Sequence, residues 1–195
     1  MATFSELCAD VHTITNRPDL VAETKLAVRQ ATLKAHHSDY YPKDIFETGV
    51  TWNTPANLQS LAYRDLFPQW RSLKYLRKYQ DGVPGTFFTV LTPEETLDRY
   101  AINKENIFYL AGEMLEIRSN TADSYMLLGG YSNPIITEDG YKSWIAIEHP
   151  FVIVFEAVAQ VFKMIGWDEQ AAMAKQNMAE QMMLLKQNQL QAVGY

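Results

Sequence analysis

The sequence predicts an α+β fold: a helical bundle formed by N- and C-terminal helices, with a β-rich region inserted at about residues 40–147. Three observations carry that prediction. Both ends of the chain repeat apolar residues at the helical period of about 3.6. Proline and glycine break the middle into short runs rich in aromatic and β-branched residues, the pattern of strands and turns. A composition that is 47% hydrophobic and 12% aromatic over 195 residues supplies a packed core for a single domain, 1–195, or one core carrying an insertion. Helices are expected over 3–37 and 150–189.

At the N-terminus, Thr3 and Glu6 have capping-box spacing, in which each side chain satisfies an orphan backbone N–H. Phe4, Leu7, Cys8, Val11 and Ile14 then share one helical face. Asn16-Arg17-Pro18 interrupts, because the residue before proline is driven away from helical angles. A second helix is expected from Pro18, a favoured first-turn residue, to about Ala35, burying Leu20, Ala27, Val28 and Ala31. Cys8, the single cysteine, reads as a small core residue; alone, it allows no internal disulfide and no cysteine metal cluster.

In the middle, strands are expected at Asp44–Val50, Asn57–Asp65, Ser72–Tyr79, Phe87–Leu91, Ile107–Leu110, Met114–Arg118 and Ser124–Leu128. Period-two alternation puts Leu73, Tyr75 and Tyr79 on one face of their strand, with Lys74 and Lys78 on a solvated face. Asp81-Gly82 and Ala111-Gly112 read as turns, and 119–123 as a longer hairpin loop. Thr92-Pro93-Glu94-Glu95 reads as a helix start, with threonine as cap and the glutamates at the positive end of the dipole.

Pro150 opens a helix to Ile165 whose face through Phe151, Val154, Phe155, Val158, Val161, Phe162 and Ile165 is broad enough for a central core helix. A fully buried Phe155 would cost about 3–5 kcal/mol on truncation to alanine. Gly166 stops this helix. Asp168 caps a last one to about Gln189, with Ala171, Ala174, Met178, Met182 and Leu185 inward. Its far side is polar yet nearly uncharged, whereas a solvent-facing helix ordinarily carries many charges. Low charge mixed with methionine and leucine suits a surface covered by another subunit. The candidate assembly interface is therefore Gln170, Met173, Gln176, Asn177, Gln181, Leu184, Gln187, Asn188, Leu190, Val193 and Tyr195, and Leu190–Tyr195 reads as an apolar tail able to join a partner as an extended segment.

A formal charge of −6 opposes tight phosphate neutralisation. The densest basic cluster, Arg71, Lys74, Arg77 and Lys78 among Trp70, Tyr75 and Tyr79, is read as a strand with one solvated face in preference to a single-strand binding surface. No apolar run approaches the roughly 18 residues of a membrane span, and the first ten residues have no basic signal-peptide region. No metal, cofactor or catalytic constellation is expected. His36 and His37 suit a helix C-terminus, His12 stands alone, His149 lacks a neighbouring nucleophile, and Gly129-Gly130 does not open a helix as a phosphate cradle would.

The order of elements, with Tyr63-Arg64-Asp65-Leu66-Phe67-Pro68, Trp70-Arg71, Gly130-Tyr131-Ser132-Asn133-Pro134, Ser143-Trp144-Ile145, Pro150-Phe151, Glu156-Ala157-Val158-Ala159, Gly166, Glu169-Gln170-Ala171 and Glu180-Gln181, resembles the head-to-tail adaptor (connector) proteins of short-tailed bacteriophages over nearly the whole chain. The resemblance implies a structural virion protein of the neck, assembled in the host cytoplasm. It implies a homo-oligomeric ring of twelve copies between the portal protein and the tail nozzle or tail-fibre proteins, with genomic DNA passing through without specific binding and no membrane partner. Lys186–Tyr195 match the segment that reaches the portal, shortened here to a brief dock. The alternatives are another neck or tail component, such as a head-completion or tail-tube protein, and a small enzyme using Glu94, Glu95, Asp98 or His149.

Overall fold

The computed structural model describes residues 3–52, 58–80, 82–92, 94–95, 106–119 and 124–193. In chain order its elements begin with α1 (Phe4–Thr15) and α2 (Val21–His37), followed by a 3-10 turn at Pro42–Asp44. Next come β1 (Ile45–Trp52), β2 (Leu58–Ala62), the single turn α3 (Tyr63–Leu66), β3 (Trp70–Gln80), β4 (Val83–Phe87) and β5 (Thr89–Val90). The remainder is β6 (Ile107–Ala111), β7 (Met114–Arg118), β8 (Ser124–Ser132), α4 (Trp144–Glu148), α5 (Pro150–Met164) and α6 (Asp168–Val193). The chain is thus mixed α and β, and it divides into two compact units, Met1–Asp44 with Asn133–Tyr195, and Ile45–Ser132.

The helical unit is organised around α5. Its buried residues run Val152, Ile153, Val154, Glu156, Ala157, Val158, Ala159, Val161 and Phe162, which is more than one stripe, and α1, α2, α4 and α6 all pack on it. A helix apolar on nearly every side belongs in the middle of a core. The inward set is rotated from the expected one: Phe151 is exposed and Phe155 is half-buried with its ring stacked on Phe151 at 5.8 Å. Phe155→Ala therefore removes less buried surface than a fully enclosed phenylalanine would.

α1 begins with the full capping box between Thr3 and Glu6 and buries Phe4, Leu7, Cys8 and Val11. Ile14, expected on that face, is exposed, and Thr15 is buried instead with its hydroxyl donating to Val11 O at 2.7 Å. The second helix starts three residues later than the proline suggested. Leu20 N–H donates to Arg17 O at 3.3 Å, so Pro18 sits at the second position of a turn, a place its fixed φ suits equally well. Asn16 ends α1 in the left-handed conformation at φ 52°.

The other unit holds two four-stranded sheets, ordered β1-β8-β3-β4 and β2-β7-β6-β5, antiparallel throughout except for the β5–β6 pair. One apolar cluster draws on both, with Leu76, Met126 and Leu128 from the first and Phe108, Leu115 and Ile117 from the second. Three strands depart from the sequence reading. The strand expected over Phe87–Leu91 is instead the end of β4 (Val83–Phe87) and the two-residue β5 (Thr89–Val90), separated at Phe88. The segment expected to stay extended to Asp65 turns helical at Tyr63, where Phe67 N–H closes the turn on Tyr63 O; Asn57 lies outside the described residues. β8 continues through Gly129-Gly130 to Ser132. Glycine is needed there because a Cβ on Gly129 would sit 2.5 Å from the Tyr75 ring.

β3 corrects the expected alternation. Its register against β8 slips between Leu73 and Tyr75, so a bulge shifts the phase, and Leu73, Leu76 and Lys78 end up toward the core. Lys78 is only 7% exposed, not solvated, and burial lowers its pKa. Arg77 lies over the Phe87 ring at 4.8 Å with Nε donating to Gly85 O, and Lys74 lies over Tyr131 at 5.5 Å. Of the expected turns, Gly82 and Gly112 have φ of 77° and 61°; Asp81 lies outside the described residues. Thr92 and Glu95 exchange the two capping-box hydrogen bonds, at 2.9 and 3.2 Å. Pro93 and 120–123 lie outside the described residues.

Burial pushes the Cys8 thiol up to about 11 and the Tyr141 phenol up to about 12. In the unfolded chain these groups titrate at their ordinary values of 9.0 and 10.0. The unfolded state thus loses protons first, and stability present below pH 9 is lost as pH rises through the folded values. The urea midpoint is expected to fall steadily above about pH 9, and Cys8→Ala to flatten the first part of that fall. A midpoint unchanged by the substitution's removal of the thiol, with the same slope, would contradict the burial of Cys8.

Candidate interaction face and buried polar cluster

Gly166, at φ 79°, ends α5, and Trp167 N–H returns to Phe162 O at 2.9 Å, a helix-terminating pair that turns the chain into α6. Trp167 stacks on Phe162 at 5.7 Å. Along α6 the residues at helical spacing Ala171, Ala174 and Leu185 are buried, with Met178 and Met182 half-buried. Each was expected inward. The helix runs four residues past the expected Gln189 to Val193. Leu190–Val193 are therefore helical rather than an extended tail, which corrects the expected strand-like docking of that segment.

Opposite this seam lies the candidate face. Gln170, Met173, Gln176, Asn177, Leu184, Gln187 and Asn188 are exposed and Gln181 is half-exposed. The Leu190 and Val193 side chains and all of Tyr195 lie outside the described residues. At about 100° per residue, Met173, Asn177, Glu180, Leu184 and Gln187 form one continuous stripe. Met173 is 67% exposed, Leu184 49%, and Met183 beside them 64%. Glu169 and Glu180 are the charged residues that share the stripe. Further large apolar side chains of the same unit are exposed on α4 and α5: Ile147, Phe151 and Met164. Sequence reasoning placed Phe151 inward because an all-apolar helix gives no rotational signal.

The second feature escaped sequence reasoning altogether. His36 Nδ1 is 2.7 Å from Asp44 Oδ1, and its Nε2 is 2.9 Å from Ser143 Oγ. Trp144 Nε1–H donates to the same Asp44 oxygen at 2.7 Å. With Asp44 accepting from Nδ1–H, Nε2 is left to accept the Ser143 hydroxyl proton. The connectivity is that of a Ser–His–Asp relay, but the environment is a core: the three side chains are 2–4% exposed. Ser143 Oγ also accepts the Ala146 N–H as the cap of α4. The cluster ties the end of α2 and the 3-10 turn to the start of α4, across 107 residues of sequence between His36 and Ser143.

Neighbouring contacts extend the tie. Tyr41 and His36 pack edge-on against Trp144 at 5.3 and 5.8 Å, and Lys43 covers that ring while pairing with Glu148 at 2.6 Å. His37 meets Asn133, Thr32 meets Tyr141, and Lys25 and Arg29 both pair with Glu138. The histidine pair expected merely to suit a helix terminus thus splits, with His36 inward and His37 exposed. Of the acid–base candidates, Glu94 and Glu95 are exposed on one unit, His149 belongs to the other, and Asp98 lies outside the described residues.

Among the described residues no group of three or more His, Cys, Asp or Glu side chains could hold a metal, and no helix is long and apolar enough to cross a membrane. No family model matches the chain, and no curated protein matches it.

Ser143→Ala removes a cap and leaves His36 Nε2 facing an apolar methyl group. A loss of about 1–3 kcal/mol is expected by urea denaturation. Unchanged stability would show that the cluster does not hold the two segments together.

Proposed function

We propose that this chain is a structural subunit that works by assembly, in the manner of the head-to-tail adaptors it resembles: a ring of copies between a portal and a tail nozzle, each copy a helical bundle carrying an inserted β-rich domain. The observation that carries this reading is the outer face of α6, where exposed Met173, Met183 and Leu184 are set among glutamine and asparagine, with Glu169 and Glu180 as the charged residues on the stripe. Exposed apolar side chains grouped on one helix lose free energy to water unless another surface covers them. Uncharged polar neighbours can enter such an interface at less desolvation cost than Lys or Glu.

A closed ring uses a heterologous interface repeated by rotation, so each copy needs extensive contact faces. The acidic balance supports the same reading, since a ring multiplies the formal −6 of each chain and repels DNA in transit. The expected dock of 186–195 onto the portal is part of the proposal, with 186–193 arriving as helix.

Mixing the purified chain with portal particles should produce an added ring in electron micrographs. Met173→Glu combined with Leu184→Glu should leave thermal unfolding of the free chain unchanged and weaken assembly at least about tenfold, since each buried apolar contact at an interface centre contributes roughly 1 kcal/mol or more. Absence of any ring-sized complex with the unaltered chain, or full assembly by the double variant, would contradict the reading.

A further inference from the structure

We infer that the outer stripe of α6 is covered by the solvent face of the β1-β8-β3-β4 sheet in a second copy of this chain. An antiparallel sheet with one face on a core ordinarily turns polar side chains to water. This one turns aromatic rings outward. Beyond the β3 bulge, Tyr75, Arg77 and Tyr79 pair with Gly129, Leu127 and Tyr125 of β8, alternating with the core residues Leu76, Met126 and Leu128. Phe87 of β4 pairs with Arg77 and is 55% exposed, and Tyr125 is 45% exposed. A Cβ on Gly129 would meet Cζ, Cε1 and Cε2 of Tyr75 at 2.5, 2.7 and 2.7 Å, so that ring lies flat on β8 with its other side outward. Tyr125 likewise fills the space above Gly49 of β1. Edge-on contacts of Tyr75 with Phe87 at 5.7 Å and of Tyr79 with Tyr125 at 6.0 Å group the rings.

Charge and chemistry select the occupant. Arg77 lies across Phe87 and Tyr79, and exposed Lys74 lies over Tyr131, so cations stand among the rings. Glu47, on the edge strand β1, is the acid on this face among the described residues. The α6 stripe has the opposite sign. Its charges are Glu169 and Glu180, about 16.5 Å apart along the helix, whereas Lys175 and Lys186 lie more than about a quarter-turn away around it. Met173 and Met183 suit aromatic partners, because thioether sulfur packs favourably on rings. A helix with an apolar stripe is also what ordinarily covers an open sheet face. Ile147 and Phe151, exposed on the helical unit, instead flank Glu148, which Lys43 already neutralises, and match the stripe less well in charge. A closed ring needs two different patches meeting head to tail. The inference therefore rests on the assembly reading and names its contact.

The test reverses charge on either side in the full chain and reads ring formation on portal particles by electron microscopy, with sedimentation of the chain alone as a second readout. Glu169→Arg with Glu180→Arg should weaken assembly at least about tenfold, since like charges then face each other. Lys74→Glu with Arg77→Glu should do the same. All four changes in one chain should restore assembly to within about threefold of the unaltered protein, because each copy supplies both faces. Arg77 packs on its neighbours, so Lys74→Glu alone, at an exposed position, repeats the reversal without disturbing the sheet. Added to the two glutamate reversals, it should recover part of the loss. Assembly unaffected by either reversal, or a combined variant as weak as the product of the two, overturns the inference and leaves the ring reading intact. An unaltered chain that stays monomeric alone and forms no ring on the portal overturns both.

Discussion

The burial of α5 is the interaction on which the rest of the structure depends. Val152, Ile153, Val154, Ala157, Val158, Ala159 and Val161 face in almost every direction around that helix, so one partner cannot cover it. α1 and α2 come from the start of the chain, and α4 and α6 from its end. The unit's core therefore closes only when segments separated by Ile45–Ser132 are brought back together. Hydrophobic burial drives that closure, but it is non-directional and tolerates small slips. The His36–Asp44–Ser143–Trp144 hydrogen bonds are directional, and sit where the first segment ends and near where the second begins. They fix the register that burial alone leaves loose.

Covering α5 also decides what α6 presents outward. The small residues Ala171 and Ala174 bring α6 close to its neighbours, with Leu185 buried at its far end, and this narrow seam leaves the remaining circumference exposed. In a free-standing protein that circumference would ordinarily be charged. Here Met173, Met183 and Leu184 stand among amides, with Glu169 and Glu180 the charges on their stripe, and the proposed assembly role follows from that mismatch between position and composition. An apolar recess of about 230 Å³ lies on the other flank of the same helix, lined by Met178 and Met182 together with Ala31 and Ala35 of α2.

Strongly periodic segments could be read directly from the sequence. The capping box at Thr3 and Glu6, the inward seam of α6 and the β7 boundaries follow local rules that tertiary context did not override. The misses have specific physical causes. Pro18 suits a turn as well as a first helical residue, and local sequence does not choose between them. Lys78 was placed in solvent because alternation assumes an unbroken ladder, and the bulge after Leu73 changed its phase. α4 is too short to display a period, and the β-rich region accordingly ends at Ser132 rather than near 147. The buried Ser–His–Asp cluster joins residues that no spacing rule connects. The Ser-Trp pair at 143–144 stands out in the sequence, but only the fold shows that His36 and Asp44 are its partners.

The most direct measurement of the central claim is oxidative footprinting of the methionines, in the isolated chain and in the assembled particle that contains it. In the isolated chain Met173 and Met183 should oxidise quickly, with buried Met126 as the internal reference. In the particle, the account predicts strong protection of Met173 and Met183 while Met126 stays unreactive in both. Equal oxidation of Met173 and Met183 in the two states would mean that the outer face of α6 stays in water, and the assembly account would be wrong.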